Sequence, residues 1–382
     1  MKKLMLTTAI ASVLTTAAIA QTTVTGELRL NWKDVSTSRG VLNAGAATGA
    51  KDGTFGFGAE QQINIQTKGK LNVGGLDYAA GFSIENDGEQ TGTLFNENVY
   101  MDFTNASSGT TISISRDHIQ RSDSDFSATN LVGFTPNELS QTVNATNSGT
   151  WFAQNLGPAV SQQYGIALLQ STPVGRFSYN FVPNNAKNST ITATLTGAAT
   201  PGGTTATDQI SVTGGDFVGV GGSEAVTQQT TTAYEYGFVG DLGVKGLQAH
   251  YFKSANNDFA MTWANGAVKA EAKNYGVRYN FGQFTAGANK KIYNSEAATL
   301  TETTETAFAV AYAVNKDLSI GLIKAEADRN TASTLDQTIK GINIGYNLGP
   351  VALAAGYAKS KDAGGVTAAD VDVYMIRLLG AF

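Results

Sequence analysis

The sequence predicts an all-β fold, a transmembrane antiparallel β-barrel of sixteen strands, and three observations carry this prediction. Apolar and polar residues alternate through many short segments of the chain. Short and long polar connections follow one another in turn between these segments. The closing segment, Val371–Phe382, reads as one strand of membrane length, about ten residues, with an apolar face that has an aromatic residue at each end. Because every backbone group must be paired in hydrocarbon, such strands close into a cylinder.

The composition agrees with a barrel. Charged residues make up 15% of the chain, whereas soluble domains usually carry roughly a quarter. The band of a barrel that faces lipid must exclude charge, which accounts for the deficit. The longest apolar runs, Ala307–Val314 and Val351–Ala358, are far shorter than the roughly 20 residues of a membrane-spanning helix. The absence of cysteine excludes a disulfide framework, a thiol nucleophile and a thiolate metal site.

The first twenty residues read as a secretory signal peptide rather than part of the fold. Lys2 and Lys3 precede an apolar stretch from Leu4 to Ile19, and Ala18-Ile19-Ala20 has the small-x-small pattern of a cleavage site. We therefore divide the chain into a signal peptide, residues 1–20, and a barrel domain, residues 21–382. The formal net charge of the whole chain is −5, and removal of the two lysines makes the exported part more acidic.

The strands follow from the alternation of apolar and polar residues. The predicted strands are 24–32, 55–66, 76–84, 99–103, 112–116, 162–170, 176–182, 232–239, 247–254, 274–281, 284–292, 306–314, 318–326, 339–348, 351–359 and 371–382. The Thr/Gly-rich stretch 184–231 could hold a small hairpin around Ile191–Leu195 and Ile210–Val220. If that hairpin joined the wall, the barrel would have eighteen strands.

Aromatic residues fall near the strand ends, as expected of two belts at the two membrane interfaces. Those near the short turns are Tyr78, Phe103, Phe281, Phe284 and Phe382, and those nearer the long loops are Trp32, Tyr251 and Tyr357. The alternative is ordinary core packing in a soluble β-sandwich, which an even strand number with alternating connection lengths disfavours.

Several segments resemble the general diffusion porins of Gram-negative outer membranes. They are the opening Thr23–Arg29, the hairpin formed by Val99–Phe103 and Thr111–Arg116, the long third loop, and the final Phe382. The resemblance implies a sixteen-stranded barrel, a homotrimer among outer-membrane lipids, and a third loop folded into the lumen.

The resemblance also implies a pore constriction, in which the third loop supplies carboxylates and the facing wall supplies basic side chains. The loop candidates are Asp123, Asp125 and Glu138, and the wall candidates with lumen parity are Arg29, Arg278, Lys291 and Arg377. Arg116 corresponds to the arginine that ends the fifth strand in the family, although its parity matches lipid-facing Ile112 and Ile114, so a bulge or the strand end must turn it inward. The alternative is that these charges only line a wet wall.

These features predict a water-filled channel for the passive diffusion of small hydrophilic solutes and ions. The acidic balance favours a mild preference for cations. We expect no enzyme activity and no cofactor. Two alternatives stay open: a structural or adhesive surface barrel with a plugged lumen, and an outer-membrane hydrolase that uses His118 or His250, although no Gly-x-Ser-x-Gly string occurs. A solute-specific channel is a variant of the main hypothesis.

Other binding signals are weak. Asp123-x-Asp125 and Asp370-x-Asp372 could hold Ca²⁺, but neither pair has the remaining oxygen ligands in sequence, so solvated acids fit better and we predict no metal site. The chain has no glycine-rich phosphate loop and no basic aromatic patch, and we predict no nucleic-acid partner.

Overall fold

A computed structural model describes most of the barrel wall and part of its loops. The described residues are 21–37, 54–71, 74–86, 95–115, 126–139, 165–182, 190–194, 209–213, 224–225, 233–256, 270–295, 302–328, 335–363 and 370–381. The proposed signal peptide and Phe382 lie outside these residues. Among the described residues, no helix has the length and apolar character needed to cross a bilayer.

The described chain contains nineteen strands and one short helix, α1 (Pro136–Leu139). The strands are β1 (Gln21–Thr37), β2 (Thr54–Lys70), β3 (Asp77–Asn86), β4 (Phe95–Asn105), β5 (Thr110–Ser115), β6 (Gly165–Thr172), β7 (Gly175–Val182), β8 (Thr190–Thr194), β9 (Gln209–Thr213), β10 (Glu224–Ala225), β11 (Ala233–Gly240), β12 (Leu247–Asn256), β13 (Ala270–Phe281), β14 (Phe284–Ser295), β15 (Thr303–Ala313), β16 (Leu318–Asp328), β17 (Gln337–Asn347), β18 (Val351–Lys361) and β19 (Val371–Ala381).

Sixteen of these strands form a closed antiparallel barrel, which confirms the predicted fold class. Each strand pairs with its neighbour in sequence, except that β7 pairs with β11. The last strand closes the ring on the first, with Arg29 opposite Leu379 and Trp32 opposite Ile376. Each of the sixteen strands therefore has a neighbouring strand on both sides.

The two faces of the wall differ in the sense expected for lipid outside and water inside. In β5 the apolar Ile112 and Ile114 are each 49% exposed on the outer face, whereas Ser113 and Ser115 are buried on the inner face. A soluble sandwich would bury the isoleucines and expose the serines. The apolar band on the outside therefore identifies this barrel as one whose solvent is the bilayer.

The structure corrects two details of the predicted strands. The first two strands extend further than expected, each to 17 residues, so the connection between them is shorter than the sequence indicates. The eighteen-strand alternative is wrong. The hairpin expected in the Thr/Gly-rich stretch does form, because β8 pairs with β9, but together with β10 it makes a separate three-stranded sheet that does not enter the barrel.

Aromatic side chains collect at the two ends of the outer face, as predicted. At the turn side Phe281, Phe284 and Tyr312 follow one another in contact across three strands. At the loop side Tyr251 lies 6.5 Å from Tyr275, ring centre to ring centre. These two rows mark the heights at which a bilayer would change from hydrocarbon to headgroups.

Candidate functional site: a loop segment inside the barrel

Residues 126–139 lie inside the barrel, against the inner wall. This segment belongs to the long connection between β5 and β6, yet it packs on strands that run from β12 round to β1. In the ring order β16 lies diametrically opposite β5. Residues 126–139 therefore lie on the side of the lumen opposite β5. This agrees with the loop position that the porin resemblance implies.

The segment begins with an aromatic anchor on Phe126. The Asn274 side-chain amide donates a hydrogen bond of 2.8 Å to the Phe126 carbonyl oxygen. The guanidinium of Arg278 lies 4.8 Å from the centre of the Phe126 ring, within range of a cation–π interaction. The His250 ring meets the same phenyl ring edge to face at 5.0 Å. Three neighbouring inward side chains of β12 and β13 thus fix one end of the segment.

A glycine of β14 lets the next residues touch the wall. The backbone N–H of Ala128 donates to Oδ1 of Asn289 at 3.1 Å. The Asn289 amide donates in turn to Asn274 at 3.0 Å, which ties the two anchors together. A Cβ placed on Gly287 would come within 2.0 Å of the Ala128 carbonyl oxygen. Only glycine therefore permits this approach of loop backbone to barrel wall.

Glycines also make room for the segment on the next strands of the wall. Val132 packs over two inward glycines, Gly321 on β16 and Gly345 on β17. Phe134 lies against Gly356 on β18, where a Cβ would approach the ring to 2.6 Å. The Asn343 amide donates a 2.9 Å hydrogen bond to the Phe134 carbonyl oxygen. The inward glycines thus leave room for the segment, and the inward asparagines donate hydrogen bonds to its backbone.

The segment ends in α1, and the residues at the start of this helix form a capping motif. The Thr135 hydroxyl accepts a hydrogen bond from the Glu138 backbone N–H at 3.3 Å, and the Glu138 carboxylate accepts one from the Thr135 N–H at 2.8 Å. This reciprocal pair is a capping box, and Pro136 occupies the first helical position, where its missing N–H costs nothing. Leu139 is fully buried among inward side chains of the surrounding strands, including Val35 and Ile339.

Glu138 joins the helix to the basic side of the wall. Its carboxylate forms an ion pair with the guanidinium of Arg377, and its backbone carbonyl accepts a 3.0 Å hydrogen bond from the Lys33 ammonium. Arg377 also donates through Nε to Asn31 at 2.8 Å and stacks 4.7 Å from the centre of the Phe134 ring. The side chains of Arg377 and Glu138 are 15% and 20% exposed, so this pair is screened less than a surface salt bridge.

The other predicted wall residues occupy two different places. Arg29 has lumen parity on β1 and forms ion pairs with Glu27 and Glu60. Lys291 and Glu305 are buried inward side chains of β14 and β15, with the ammonium 4.0 Å from the carboxylate. Glu138 and Arg377 are thus the predicted pair that the structure brings together. Arg116, Asp123 and Asp125 lie outside the described residues.

The wall facing the segment carries carboxylates. The strand register gives lumen parity to Glu27, Glu60, Glu85 and Asp102, which lie on β1, β2, β3 and β4. Basic residues share that part of the wall, because Arg29 of β1, Lys68 of β2 and Arg176 of β7 also have lumen parity. Among the described residues, Lys33, Arg278 and Arg377 are the basic side chains that contact the loop segment.

The remaining candidates of the sequence analysis are the histidines and the aspartate pair Asp370-x-Asp372. His250 is 4% exposed beneath Phe126, and its Nε2 lies 3.1 Å from Oδ1 of Asn274. Asp372 on the outer face accepts a 2.7 Å hydrogen bond from the Tyr357 hydroxyl, and Asp370 lies 4.0 Å from the Lys359 ammonium. His118 lies outside the described residues.

Sequence reasoning did not find Lys33, Asn274, Asn289 or Asn343 as partners of the loop. The available signal was the run Thr135-Pro136-Asn137-Glu138, which predicts a helix start inside the long connection. A second signal was the recurrence of glycine and asparagine at inward positions from β13 to β18. Each marks a place where the wall must accept a close neighbour.

Comparison with known proteins supports the fold. No family model matches the sequence, and no curated protein matches it closely enough to count as a relative. The structure is similar to the anion-selective porin of Comamonas acidovorans, with a TM-score of 0.61 and 13% identity over 95% of this chain and 100% of that one. The chain has a porin-like barrel fold.

Two further structures agree. OmpT of Vibrio cholerae, described as expressed in the outer membrane, gives a TM-score of 0.60 at 13% identity over 96% of this chain and 99% of that one. A mutant of the Rh. blastica porin gives 0.55 at 14% identity over 95% of this chain and 100% of that one. At such low identity these likenesses establish the architecture alone.

Proposed function

We propose that this chain is a porin of a Gram-negative outer membrane. It forms a water-filled channel through which small hydrophilic solutes and ions diffuse down their gradients. Residues 1–20 act as a signal peptide that directs export and is then removed, and the barrel functions as a homotrimer. The protein supplies passage and charge selection, without a catalytic step or a cofactor.

The observation that carries this proposal is the position of residues 126–139 in the lumen. This segment of the long connection after β5 is anchored by an ion pair, hydrogen bonds and glycine contacts on the wall opposite β5. Such an anchored segment narrows a barrel of this size without depending on a separate plug domain. A sixteen-stranded barrel is wide enough to leave an aqueous passage beside it.

We further propose that the narrowing selects mildly for cations. Arg377 and Lys33 interact with Glu138, while Arg278 faces the Phe126 ring. The opposite wall contributes the lumen-parity carboxylates of β1–β4. We attribute the preference to these carboxylates, since Arg377 is engaged by Glu138 while Lys68 and Arg176 on the same half of the wall oppose them. Arg116, Asp123, Asp125 and Lys291 remain proposed contributors to this preference.

The outer face suggests how copies assemble. Among the side chains that the structure describes, no charged residue has outward parity on β2–β7 or β11. The outer face of β12–β18 carries lysines and acids at its loop end. Charged side chains are stable where the wall contacts lipid headgroups, whereas burial against another copy of the chain would remove them from water. We therefore assign the uncharged half to the subunit contact.

Single-channel recording tests the function directly. The full-length exported protein, purified in detergent, is added to planar lipid bilayers, and conductance steps and the reversal potential under a KCl gradient are measured. We expect stable steps of uniform size and a reversal potential of the sign that indicates K⁺ preference. A protein that migrates as a folded, heat-modifiable barrel but never conducts would contradict the channel and favour the plugged surface barrel. A conducting channel with Cl⁻ preference would contradict only the selectivity.

A further inference from the structure

His250 is a buried titratable side chain that the proposed passage of ions does not use. It lies on the inner face of β12 and is 4% exposed. The Phe126 ring meets its imidazole edge to face at 5.0 Å, and the Phe252 ring lies 6.1 Å away, ring centre to ring centre. A Cβ placed on Gly276 would come within 2.7 Å of the Cε1 atom, so the imidazole lies directly against the wall. Phe126 of the loop segment therefore covers the ring on the side of the lumen.

The hydrogen bonds around His250 decide which ring nitrogen carries the hydrogen. The Asn274 side-chain amide donates to the Phe126 carbonyl oxygen at 2.8 Å, and Oδ1 of Asn274 accepts from the Asn289 amide at 3.0 Å. The same Oδ1 lies 3.1 Å from Nε2 of His250. Because an amide oxygen only accepts hydrogen bonds, Nε2 carries the hydrogen and Nδ1 is the bare nitrogen. Nδ1 is buried and makes no hydrogen bond with any residue that the structure describes.

A positive charge on this imidazole would have cations as its neighbours. In the described part of the chain, the charged side chains that act on His250 electrostatically are Arg278 of β13 and Lys291 of β14. Glu305 of β15 lies beyond Lys291, with its carboxylate 4.0 Å from that ammonium. The acid on the other flank, Glu235 of β11, pairs in register with a residue four positions further along β12. An imidazolium at this site would be buried without an anionic partner among the described residues, so the charged form is costly.

A second hydrogen on the ring would also compete for the atom that holds the loop segment. Asn289 is the other amide that hydrogen-bonds the charged imidazole, and an imidazolium only donates, so its target on Asn289 is Oδ1. That oxygen already accepts the backbone N–H of Ala128 at 3.1 Å. Residues 127–129 carry no charge, and Tyr293, which packs in the same cluster as Phe126, is uncharged. Protonation is therefore accommodated if Asn289 gives up Ala128, or if Phe126 moves away and admits water.

We propose that His250 is a positioning residue of the channel, which holds the start of the loop segment against the wall only while its ring is neutral. Uptake of one proton from solution at Nδ1 releases residues 126–129 from β12–β14, and loss of that proton seats them again. The rest of the segment stays attached through Phe134 and through the ion pair of Glu138 with Arg377. The inference rests on the proposed channel function, because the passage beside this segment is what the release changes.

Two substitutions distinguish this role from simple packing. A histidine that only fills space under Phe126 would give the channel no response to acid. His250→Phe keeps an aromatic ring against Phe126 and Phe252 but takes up no proton. His118→Phe is the matched control, because the chain contains two histidines and this variant leaves His250 as the only one. Heat-modifiable migration in gels confirms that each variant is folded.

Single-channel conductance at two pH values tests the proposal on the full-length exported protein in planar bilayers. The values are about pH 7.5 and about pH 5, because the lower one charges a histidine in water while most carboxylates stay ionised. Wild type and His118→Phe should conduct about twofold better at the lower pH, since the released residues no longer hold the narrowing in place. His250→Phe should conduct equally at both values. Gly287→Val, whose side chain displaces Ala128 by contact, should show the higher conductance at both.

Hydrogen–deuterium exchange gives a second readout that needs no open pore. The backbone N–H groups of Ala128 and Leu131 are hydrogen-bonded in the seated segment. Wild type and His250→Phe are compared at the same pH, so that the chemical exchange rate is equal in both. At the lower pH these amides should exchange about tenfold faster in wild type, because release exposes them to water. At the higher pH the two proteins should exchange alike.

Three results would overturn the proposal. They are equal conductance of the wild-type channel at the two pH values, a His250→Phe channel that still responds to acid, and a His118→Phe channel that does not. A protein that never conducts, yet exchanges the amides of Ala128 and Leu131 faster at the lower pH in wild type than in His250→Phe, would contradict the channel function alone. The positioning role of His250 would then be supported without it.

Discussion

The two halves of the barrel wall differ on both faces. From β12 to β19 the inner face carries glycines and asparagines under residues 126–139, and the outer face carries lysines at its loop end. From β2 to β7 the inner face carries acids and serines, and the outer face has no charged residue among the described side chains. The same strand alternation therefore builds two different walls. One half supports a loop and meets headgroups, and the other lines the passage and suits a neighbouring copy.

Two inward glycines provide the sharpest test of this difference. Gly287 touches the Ala128 backbone, whereas Gly58 of β2 has nothing within 4 Å of the position that a Cβ would take. Gly287→Val should displace the segment and increase single-channel conductance about twofold or more, because backbone cannot yield as a side chain can. Gly58→Val should change conductance only slightly. Equal effects of the two variants would contradict the assignment of the loop to one half.

The outer faces predict an unequal tolerance to charge. Leu168 lies on the uncharged half, in the middle of β6. Leu168→Arg should destabilise the folded barrel by about 2–4 kcal/mol relative to the unfolded chain in lipid, and should also disrupt the proposed trimer. The control Thr306→Arg adds the same side chain to the other half, beside Glu326 near the loop end, and should cost less. Urea titration in vesicles and size analysis in detergent measure the two effects.

The ion pair of α1 should govern how steadily the segment holds its place. Glu138→Gln leaves Arg377 without its carboxylate partner and should weaken the attachment by about 1–2 kcal/mol. We expect more frequent closures in single-channel records and a shift of the reversal potential toward anions. The double variant Glu138→Gln/Arg377→Gln should restore a quiet channel, since no uncompensated charge remains. A noisy double variant would show that loss of the ion pair, and not the uncompensated charge of Arg377, causes the closures, whereas a quiet Glu138→Gln channel would show that the ion pair does not anchor the helix.

Substitution of the lumen-parity acids on β2 and β3 should produce the smallest change in channel properties. Glu60→Gln/Glu85→Gln removes two lumen-parity carboxylates and should move the reversal potential a few millivolts toward anions, with the conductance nearly unchanged. Asp241→Asn/Asp317→Asn removes two acids from short turns and should change neither quantity. If the turn variant shifts selectivity as much as the wall variant, then overall charge rather than the lumen field sets it.

Several parts of the structure could be predicted from the sequence because they depend on local pattern. Alternation in Thr111–Ser115 sets the isoleucines outside and the serines inside whatever the neighbouring strand is. The alternating short and long connections give the strand number without knowledge of the pairing. The same reasoning could not decide whether Ile191–Leu195 joins the wall, because a short paired segment alternates equally well in a separate sheet.

The candidate site was predicted less completely. Lumen parity identified Arg377, and the loop position of Glu138 followed from the porin resemblance, but nothing in the sequence paired the two. Lys33 lies 105 positions before Glu138 and was assigned to the first loop. Asn343 lies 209 positions from its partner Phe134. Contacts between such distant positions depend on which strands lie opposite each other after closure.

The amino-acid sequence by itself determined that this chain forms a barrel with an apolar outside and a polar inside. A period of two along each strand and the need to pair every backbone group in lipid leave no other arrangement. Only the tertiary structure decided which wall the loop lies on and which distant side chains hold it there. Those outcomes depend on ring closure and register, which convert positions far apart in the chain into neighbours a few ångströms apart.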